Sequence, residues 1–231
     1  MREGDVLSGV IGFIHVGVIG RWKEIYQSQV SRIKSSGLYE RTSKIYVGVS
    51  GELPDDLIID EKMTVCCVEN RLSYGETKTI RFLHDFCIQE SEPFKLWYIH
   101  TKGARYTETC DAHMIPIVDS WRRYLQHFVI DKHKECCQIL DSHDACGTEF
   151  CDKGFFSGNF WWANSHYIKS IHLRSEWLVG HSLGMWKSFR HLAERNFVGL
   201  GNPKVFNFKT IYKESRDAYL SVIEESQYAA Q

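Results

Sequence analysis

The stretch VIGFIHVGVIG, residues 10–20, decides the fold of this chain of 231 residues. It is a continuous apolar run, rich in β-branched side chains and bounded by glycines, and it is typical of a buried strand. The next segment, 21–37, has apolar residues at helical spacing and ends at Gly37, where a helix C-cap belongs. A buried strand followed directly by an amphipathic helix is the repeating unit of a parallel α/β sheet.

The same alternation continues along the chain. We predict parallel core strands over residues 10–18, 44–49, 63–68 and 95–100, a further strand over 155–163, and helices over 21–37, 76–90, 116–140, 165–171 and most of 200–231. The expected fold class is α/β, with a mixed, mostly parallel central sheet flanked by helices. We expect one domain over 1–231, with 200–231 as a helical extension.

Composition excludes several classes of protein. Charged residues make up 25% of the chain and the net charge is −1, so the basic excess of a nucleic-acid-binding protein is missing. No segment reaches the roughly 20 apolar residues of a membrane span. The N-terminal apolar run contains His15 and ends at Arg21 without a cleavage site for secretion. We therefore expect a cytoplasmic protein.

The eight cysteines do not indicate a disulfide scaffold or a zinc site. Two pairs are adjacent, Cys66–Cys67 and Cys136–Cys137, and neither has the two-residue spacing of a zinc knuckle. Adjacent side chains point to opposite faces of a strand or diverge on a helix. We interpret most of the cysteines as small buried residues in a reducing compartment.

In a parallel α/β sheet, ligands bind beyond the carboxyl ends of the strands. The segments to consider are therefore 15–21, 50–52, 69–76 and 100–105. In the last of these, Lys102 and Arg105 supply positive charge and Gly103 lets the backbone approach a ligand, which suits a diphosphate. The alternative is a solvated loop, and the spacing alone does not decide between the two.

The stretch FFSGNFWWANSHYI, residues 155–168, combines aromatic rings with one amide. Ser157, Gly158 and Asn159 interrupt the rings, and a packed core would not select such an interruption. Asn159 both donates and accepts hydrogen bonds, and Trp161 or Trp162 offers a flat apolar face, so the motif suits a sugar ring. The alternative is that the two indoles simply fill the core on opposite faces of the strand.

Taken together, the motifs YIHTKG, VDSWRRYLQHFVI, FFSGNFWWANSHYI and SEWLVG resemble a family of small glycosyltransferases of the GT-A type. The resemblance covers roughly residues 10–180 and extends to the transferase domain with which chlorella viruses glycosylate their capsid protein. It implies a GT-A-like fold, a UDP-linked sugar donor and often Mn²⁺. The expected acceptor is a glycan or a glycoprotein.

The strand-end rule, the chemistry of the aromatic run and the resemblance together give candidate roles for individual residues. The expected donor-binding residues are His15, Val16, Gly17, Arg21, Glu76, His100, Thr101, Lys102 and Gly103. The expected sugar- or acceptor-binding residues are Ser157, Gly158, Asn159, Trp161 and Trp162. GT-A enzymes usually hold their metal with an Asp-x-Asp pair, and this chain has His100-Thr101-Lys102 at the matching place. His100 is the candidate Mn²⁺ ligand, with Asp111 and His113 downstream as candidates to complete a site.

An inverting transfer needs a carboxylate that takes the proton from the acceptor hydroxyl. Glu176, in RSEWLVG, is the candidate catalytic base, and Asp152 and Asp144 are the reserves. The structural alternative for Glu176 is an acid at a helix N-terminus, where it favours the helix dipole. Two other functions stay open. One is an inactive transferase that serves as a carbohydrate-binding module, and the other is a sugar-phosphate nucleotidyltransferase.

Overall fold

The computed structural model describes residues 9–151, 154–173, 197–211 and 220–230. The strands are β1 Val10–Gly17, β2 Thr42–Ser50, β3 Met63–Glu69, β4 Lys95–His100, β5 Ala145–Gly147, β6 Phe150–Cys151, β7 Phe155–Phe156, β8 Trp161–Asn164 and β9 Val205–Asn207. The α-helices are α1 Trp22–Ser35, α2 Leu38–Arg41, α3 Thr77–Gln89, α4 Met114–Gln126, α5 His133–Ile139 and α6 Ser165–Ser170. Leu72–Tyr74 and Glu225–Gln227 form 3₁₀ turns, and His127–Asp131 forms a π-helical turn.

Seven of the described strands form one sheet in the order β3-β2-β1-β4-β8-β5-β9. The strands β1, β2, β3 and β4 are mutually parallel, and β8 runs antiparallel to both of its neighbours. The pair β6–β7 is a separate small hairpin. The chain is thus α/β with a mostly parallel central sheet flanked by helices, and the four predicted core strands are confirmed within two residues at their ends.

Both faces of the sheet are covered. Helices α1 and α4 pack on one face, through side chains such as Tyr26, Ile33 and Leu125. Helices α3 and α6 pack on the other face, through side chains such as Leu83 and Ile168. This two-sided burial explains why the central strands are continuous apolar runs rather than alternating ones.

Three predicted elements differ from the structure. The helix expected over 116–140 is interrupted by the π-helical turn, which separates α4 from α5. The strand expected over 155–163 is divided into β7 and β8 by a turn in which Gly158 and Asn159 have φ of 87° and 56°. Backbone in that left-handed region cannot continue a strand. Within the expected helical extension over 200–231, residues 205–207 form a strand, β9, which pairs with β5.

A bulge in β3 overturns the expectation for the first cysteine pair. Val65 pairs with Val47 and Cys67 pairs with Gly48, so that Cys66 is the extra residue between them. A bulge places two consecutive side chains on the same side of a strand. The two Sγ atoms are accordingly 3.8 Å apart instead of lying on opposite faces.

None of the helices in the described ranges combines the length and the apolar character that crossing a bilayer requires.

Candidate functional site

The candidate site lies at the carboxyl edge of the sheet, where the strand order changes direction. β1 and β4 are neighbours, but the chain leaves β1 towards β2 on one side and leaves β4 towards β5 on the other. Ligands of open α/β sheets bind at such a position. Because β8 is antiparallel, its first residue and the preceding turn at 157–159 lie at this same edge.

The loops that follow β1 and β4 are joined by hydrogen bonds. The Thr101 amide donates to the His15 carbonyl at 3.0 Å, and the Gly17 amide donates to Thr101 Oγ1 at 3.0 Å. Further out, the Arg21 amide donates to the Ala104 carbonyl at 2.8 Å. The predicted donor-binding segments after the two strands therefore form one continuous polar rim.

Glu76 is a buried carboxylate behind this rim, with only 3% of its surface exposed. Its Oε2 accepts hydrogen bonds from the Tyr98 hydroxyl at 2.5 Å and from Asn159 Nδ2 at 2.7 Å. The Nδ1 atom of His100 lies 3.7 Å from Oε1. A buried carboxylate requires such partners, because burial without hydrogen bonds strongly disfavours the charged form. Glu76 thereby ties α3, β4 and the turn before β8 together.

The turn at 157–159 is held by its own polar groups. His100 Nε2 lies 2.8 Å from the Gly158 carbonyl, and because a carbonyl oxygen only accepts, Nε2 is the donor. Trp161 Nε1 donates to Asn159 Oδ1 at 2.8 Å. Both ends of the Asn159 amide are therefore bonded inside the protein, one to Trp161 and the other to Glu76.

His15 is buried at the end of β1 and is paired with His100 across the parallel strands. Its Nδ1 lies 2.8 Å from Thr79 Oγ1 on α3. The adjacent Gly48 makes room for this contact, since a Cβ atom there would lie 2.0 Å from Thr79 Oγ1. Both histidines that the sequence proposed for donor binding thus stand side by side at one edge of the sheet.

Lys102 and Gly103 lie where the chain turns from β4 towards α4. The ammonium of Lys102 lies 3.6 Å from the centre of the Trp121 ring, a cation–π contact. Gly103 has φ of 87°, and a Cβ atom there would lie 2.5 Å from Val118 on α4. Arg105 is exposed and contacts the Tyr106 hydroxyl at 2.7 Å. The predicted cationic loop therefore exists, with Lys102 half-buried rather than fully solvated.

An ion-pair cluster fixes the position of this loop. Asp119 on α4 lies 2.8 Å from Arg21 and 2.8 Å from Arg122, and Arg122 donates to the Lys102 carbonyl at 2.8 Å. Burial acts to raise the pKa of Asp119, but the hydrogen bond from Arg21 and the charge of Arg122 outweigh it and lower that pKa. Burial lowers the pKa of Arg122. Arg21 is thus turned towards α4.

Several predicted site residues are buried in the structure. Trp161 and Trp162 are both fully buried, on opposite faces of the sheet, so the opposite orientation is confirmed. Neither indole presents an exposed face to a sugar, contrary to the expectation for one of them. Val16 belongs to the core, and Ser157 is buried in the turn.

The candidate bases and metal ligands have different positions. Glu176 and Asp152 lie outside the described residues. Asp144 precedes β5, and therefore lies at the edge opposite to the crevice, where it accepts a hydrogen bond from the Lys204 amide at 2.8 Å. Asp111 and His113 are exposed in the segment before α4. No three histidine, cysteine or acidic side chains converge on a possible metal position among the residues that the structure describes.

Sequence reasoning missed three polar residues of the site, namely Thr79, Tyr98 and Asp119. For Thr79 a signal existed, because residues 76, 79, 80 and 83 share one face of α3, and that face is the buried one. Tyr98 and Asp119 gave no such signal, since a tyrosine in a strand and an acid in a helix are ordinary at those positions. Their roles depend on which other elements pack against them.

Comparison with curated proteins gives no match to the chain. A family model described as a domain of unknown function, DUF8361, matches residues 17–178. The matched range contains β2, β3, β4 and β8 and both loops of the polar rim beyond residue 17. Because the match extends over more than half of the 231 residues, the chain belongs to the DUF8361 family.

Proposed function

We propose that the protein is a glycosyltransferase that moves a sugar from a UDP-linked donor to a glycan or glycoprotein acceptor. The observation that carries the proposal is that candidate segments distant in sequence lie together at one edge of the sheet. The predicted donor-binding segment 15–21 and the turns 100–103 and 157–159, which belong to two of the motifs that resemble GT-A transferases, are distant in sequence. All three nevertheless lie at the carboxyl edge of one sheet, where the strand order reverses. Segments that served only for packing would not need to converge at a ligand-binding edge.

The chemistry that the described residues supply is chiefly electrostatic. When the donor bond breaks, the nucleoside diphosphate gains negative charge, which nearby cations stabilise. Lys102 and the exposed Arg105 are the cations of the loop after β4 and are our candidates for this role. The buried Glu76 holds the turn at 157–159 against β4 and so shapes the floor of the crevice. Glu176 is retained as the proposed base.

The proposal assigns no role to Mn²⁺, and the binding experiment below is done with and without this ion. With Nε2 bonded to the Gly158 carbonyl, His100 has Nδ1 as its remaining metal-binding atom, and that atom lies 3.7 Å from Glu76 Oε1. These two groups do not make a metal site by themselves, because Mn²⁺ prefers several oxygen or imidazole ligands. We therefore assign no step of the reaction to a metal.

The proposal is tested by ligand binding and then by turnover. UDP is expected to raise the Tm more than GDP or CMP at equal concentration, with and without Mn²⁺, since a ligand of the native state stabilises it. A panel of UDP-sugars is then assayed for release of UDP. Equal Tm shifts for the three nucleotides would contradict the uridine assignment. Binding of UDP-sugars without any release of UDP would favour the carbohydrate-binding alternative, and dependence on a nucleoside triphosphate would favour the nucleotidyltransferase.

The place of binding is tested with Lys102→Met, which keeps an apolar stem against Trp121 and removes the charge. We expect UDP affinity to fall by about 1–3 kcal/mol, the loss of one charge-assisted hydrogen bond. Lys62→Met is the matched control, because Lys62 also lies over an aromatic ring, that of Tyr39 at 4.7 Å, but at the opposite edge of the sheet. Unchanged UDP affinity in Lys102→Met would remove this lysine from the donor site.

A further inference from the structure

Two neighbouring thiols lie on one side of the edge strand β3. The bulge leaves Cys66 without a register partner and brings its Sγ atom to 3.8 Å from that of Cys67. Both side chains are half-buried and reduced. β3 is the terminal strand on its side of the described sheet, so no further described strand covers the pair. This arrangement differs from the second adjacent pair, Cys136–Cys137, which is buried in α5.

The surroundings make the two thiols unequal. The Cys66 thiol donates to Cys67 Sγ, and this hydrogen bond lowers the pKa of Cys67, although burial opposes it. Thr79, whose Oγ1 lies 3.9 Å from Cys67 Sγ, and the positive charge of Lys78 act in the same direction. The hydrogen bond to Cys67, followed by burial, raises the pKa of Cys66. Cys67 is therefore the better nucleophile, and Cys66 stands beside it as a second thiol.

We propose that Cys66 and Cys67 form a dithiol site that reacts with a low-molecular-mass disulfide and closes to an internal disulfide. The Cys67 thiolate attacks one sulfur of the small disulfide, whose S–S bond breaks, and the first small thiolate leaves. Cys66 then loses its proton to solvent and displaces the second small thiolate from Cys67. The protein thiols lose two electrons, the small disulfide gains two electrons, and the two leaving thiolates take up the released protons.

The bridge is expected to be easily reduced. Adjacent Cα atoms are about 3.8 Å apart across a trans peptide, which is shorter than the usual 4.4–6.8 Å between bridged cysteines. Strained disulfides have more oxidising potentials and are the labile ones. The site lies beside the crevice, because Thr79 contacts both Cys67 and His15. The inference does not depend on the proposed transferase activity.

The test uses the folded full-length protein and oxidised glutathione. After acid quenching, free thiols are alkylated in denaturant and the protein is digested with trypsin. Cleavage after Lys62 and Arg71 gives the peptide 63–71, which contains both cysteines of the site and no other cysteine. We expect this peptide without alkyl groups and about 2 Da lighter than its dithiol form, the loss of two hydrogens. Treatment with dithiothreitol is expected to restore the dithiol.

Two controls accompany the measurement. Cys110 is exposed, and the tryptic peptide 106–122 contains no second cysteine, so it reports a glutathione adduct that cannot close within the peptide. The Cys66→Ser variant is expected to accumulate a stable glutathione adduct on Cys67, because the second thiol is gone. The buried pair Cys136–Cys137 is expected to stay unbridged.

Two results would overturn the proposal. One is a doubly alkylated peptide 63–71 under conditions in which Cys110 carries glutathione. The other is separate glutathione adducts on Cys66 and Cys67 in the wild type. Both results come from the unmodified sequence, so they do not depend on the folding of a variant.

Discussion

Asn159 is the residue whose predicted and observed roles differ most. From the sequence it is an amide that hydrogen-bonds sugar hydroxyls. In the structure its amide is bonded to Glu76 and Trp161, and its backbone has φ of 56°. Asparagine tolerates this left-handed conformation better than most residues. Asn159 therefore connects a buried carboxylate to a buried indole, and its effect on a ligand would be exerted through the shape of the turn.

We expect Asn159→Ala to destabilise the fold, because it leaves Glu76 with one donor fewer and the Trp161 N–H without its acceptor. The lost hydrogen bonds correspond to about 1–3 kcal/mol. Asn202→Ala is the matched control, since Asn202 has φ of 52° but is exposed. The difference in unfolding free energy between the two variants, measured in urea, isolates the buried contacts. Equal losses in both variants would mean that only the backbone conformation matters.

Among the elements, the π-helical turn between α4 and α5 carries an acidic side chain that pairs with α1. Asp131 at its end accepts a hydrogen bond from Arg32 Nε on α1 at 2.9 Å. Burial acts to raise the pKa of Asp131, but hydrogen bonds from Arg32 and His127 outweigh it and lower the pKa to about 2. The π-helical turn between α4 and α5 thus lies where Asp131 forms its ion pair with Arg32 of α1.

This depressed pKa predicts a pH dependence of stability. The charged form of Asp131 stabilises the fold above its ordinary pKa of 3.8, and that contribution is lost as the pH falls from about 4 to about 2. We expect Asp131→Asn to lower the unfolding free energy at pH 7 by about 1–2 kcal/mol, allowing for solvent screening. The difference from the wild type should shrink in urea titrations towards pH 2.

The control is Asp56→Asn, which breaks the exposed pair with Lys23 and should leave stability nearly unchanged. A difference between wild type and Asp131→Asn that stays constant from pH 7 to pH 2 would contradict the assignment.

The turn between β7 and β8 gives a second prediction at this scale. A Cβ atom on Gly158 would lie 2.5 Å from Leu125 on α4, whereas one on Gly37 would have no neighbour closer than 4.0 Å. Both glycines have positive φ, of 87° and 81°. Because of the backbone conformation, we expect each of Gly158→Ala and Gly37→Ala to lower the free energy of unfolding by about 1–2 kcal/mol. The steric overlap with Leu125 adds about 1–3 kcal/mol to the loss in Gly158→Ala. If the Tm decrease is no larger for Gly158→Ala than for Gly37→Ala, then α4 accommodates the added methyl group without a loss of stability.

The elements were predictable where burial alone determines the pattern. The four core strands and α1, α3 and α6 follow from apolar periodicity, because their neighbours are other apolar surfaces. The bulge at Cys66, the π-helical turn and β9 were not predictable, since each depends on a partner elsewhere in the chain. The site followed the same rule. Strand ends identified His15 and His100, but the Glu76 network required the packed structure.

At the scale of the whole molecule, the sheet separates two apolar layers, and the adjacent residues Trp161 and Trp162 pack into different layers. Trp162 belongs to the layer under α1 and α4, and Trp161 to the layer under α3 and α6. We expect Trp161→Ala and Trp162→Ala each to lower the unfolding free energy by about 3–5 kcal/mol, as truncation of a buried aromatic does. Urea denaturation measures both. A loss below about 1 kcal/mol for either indole would indicate an exposed ring rather than a core one.

The insertion of β8 between β4 and β5 has a consequence for biosynthesis. β5 leaves the ribosome before β8, yet β8 lies between β4 and β5 in the finished sheet. The edge of β4 that β8 will cover is therefore unpaired while residues 101–160 are being translated. At 5–20 residues per second this interval lasts roughly 3–12 s. During translation the nascent chain thus presents an open edge of apolar sheet, the kind of surface that chaperones protect from aggregation.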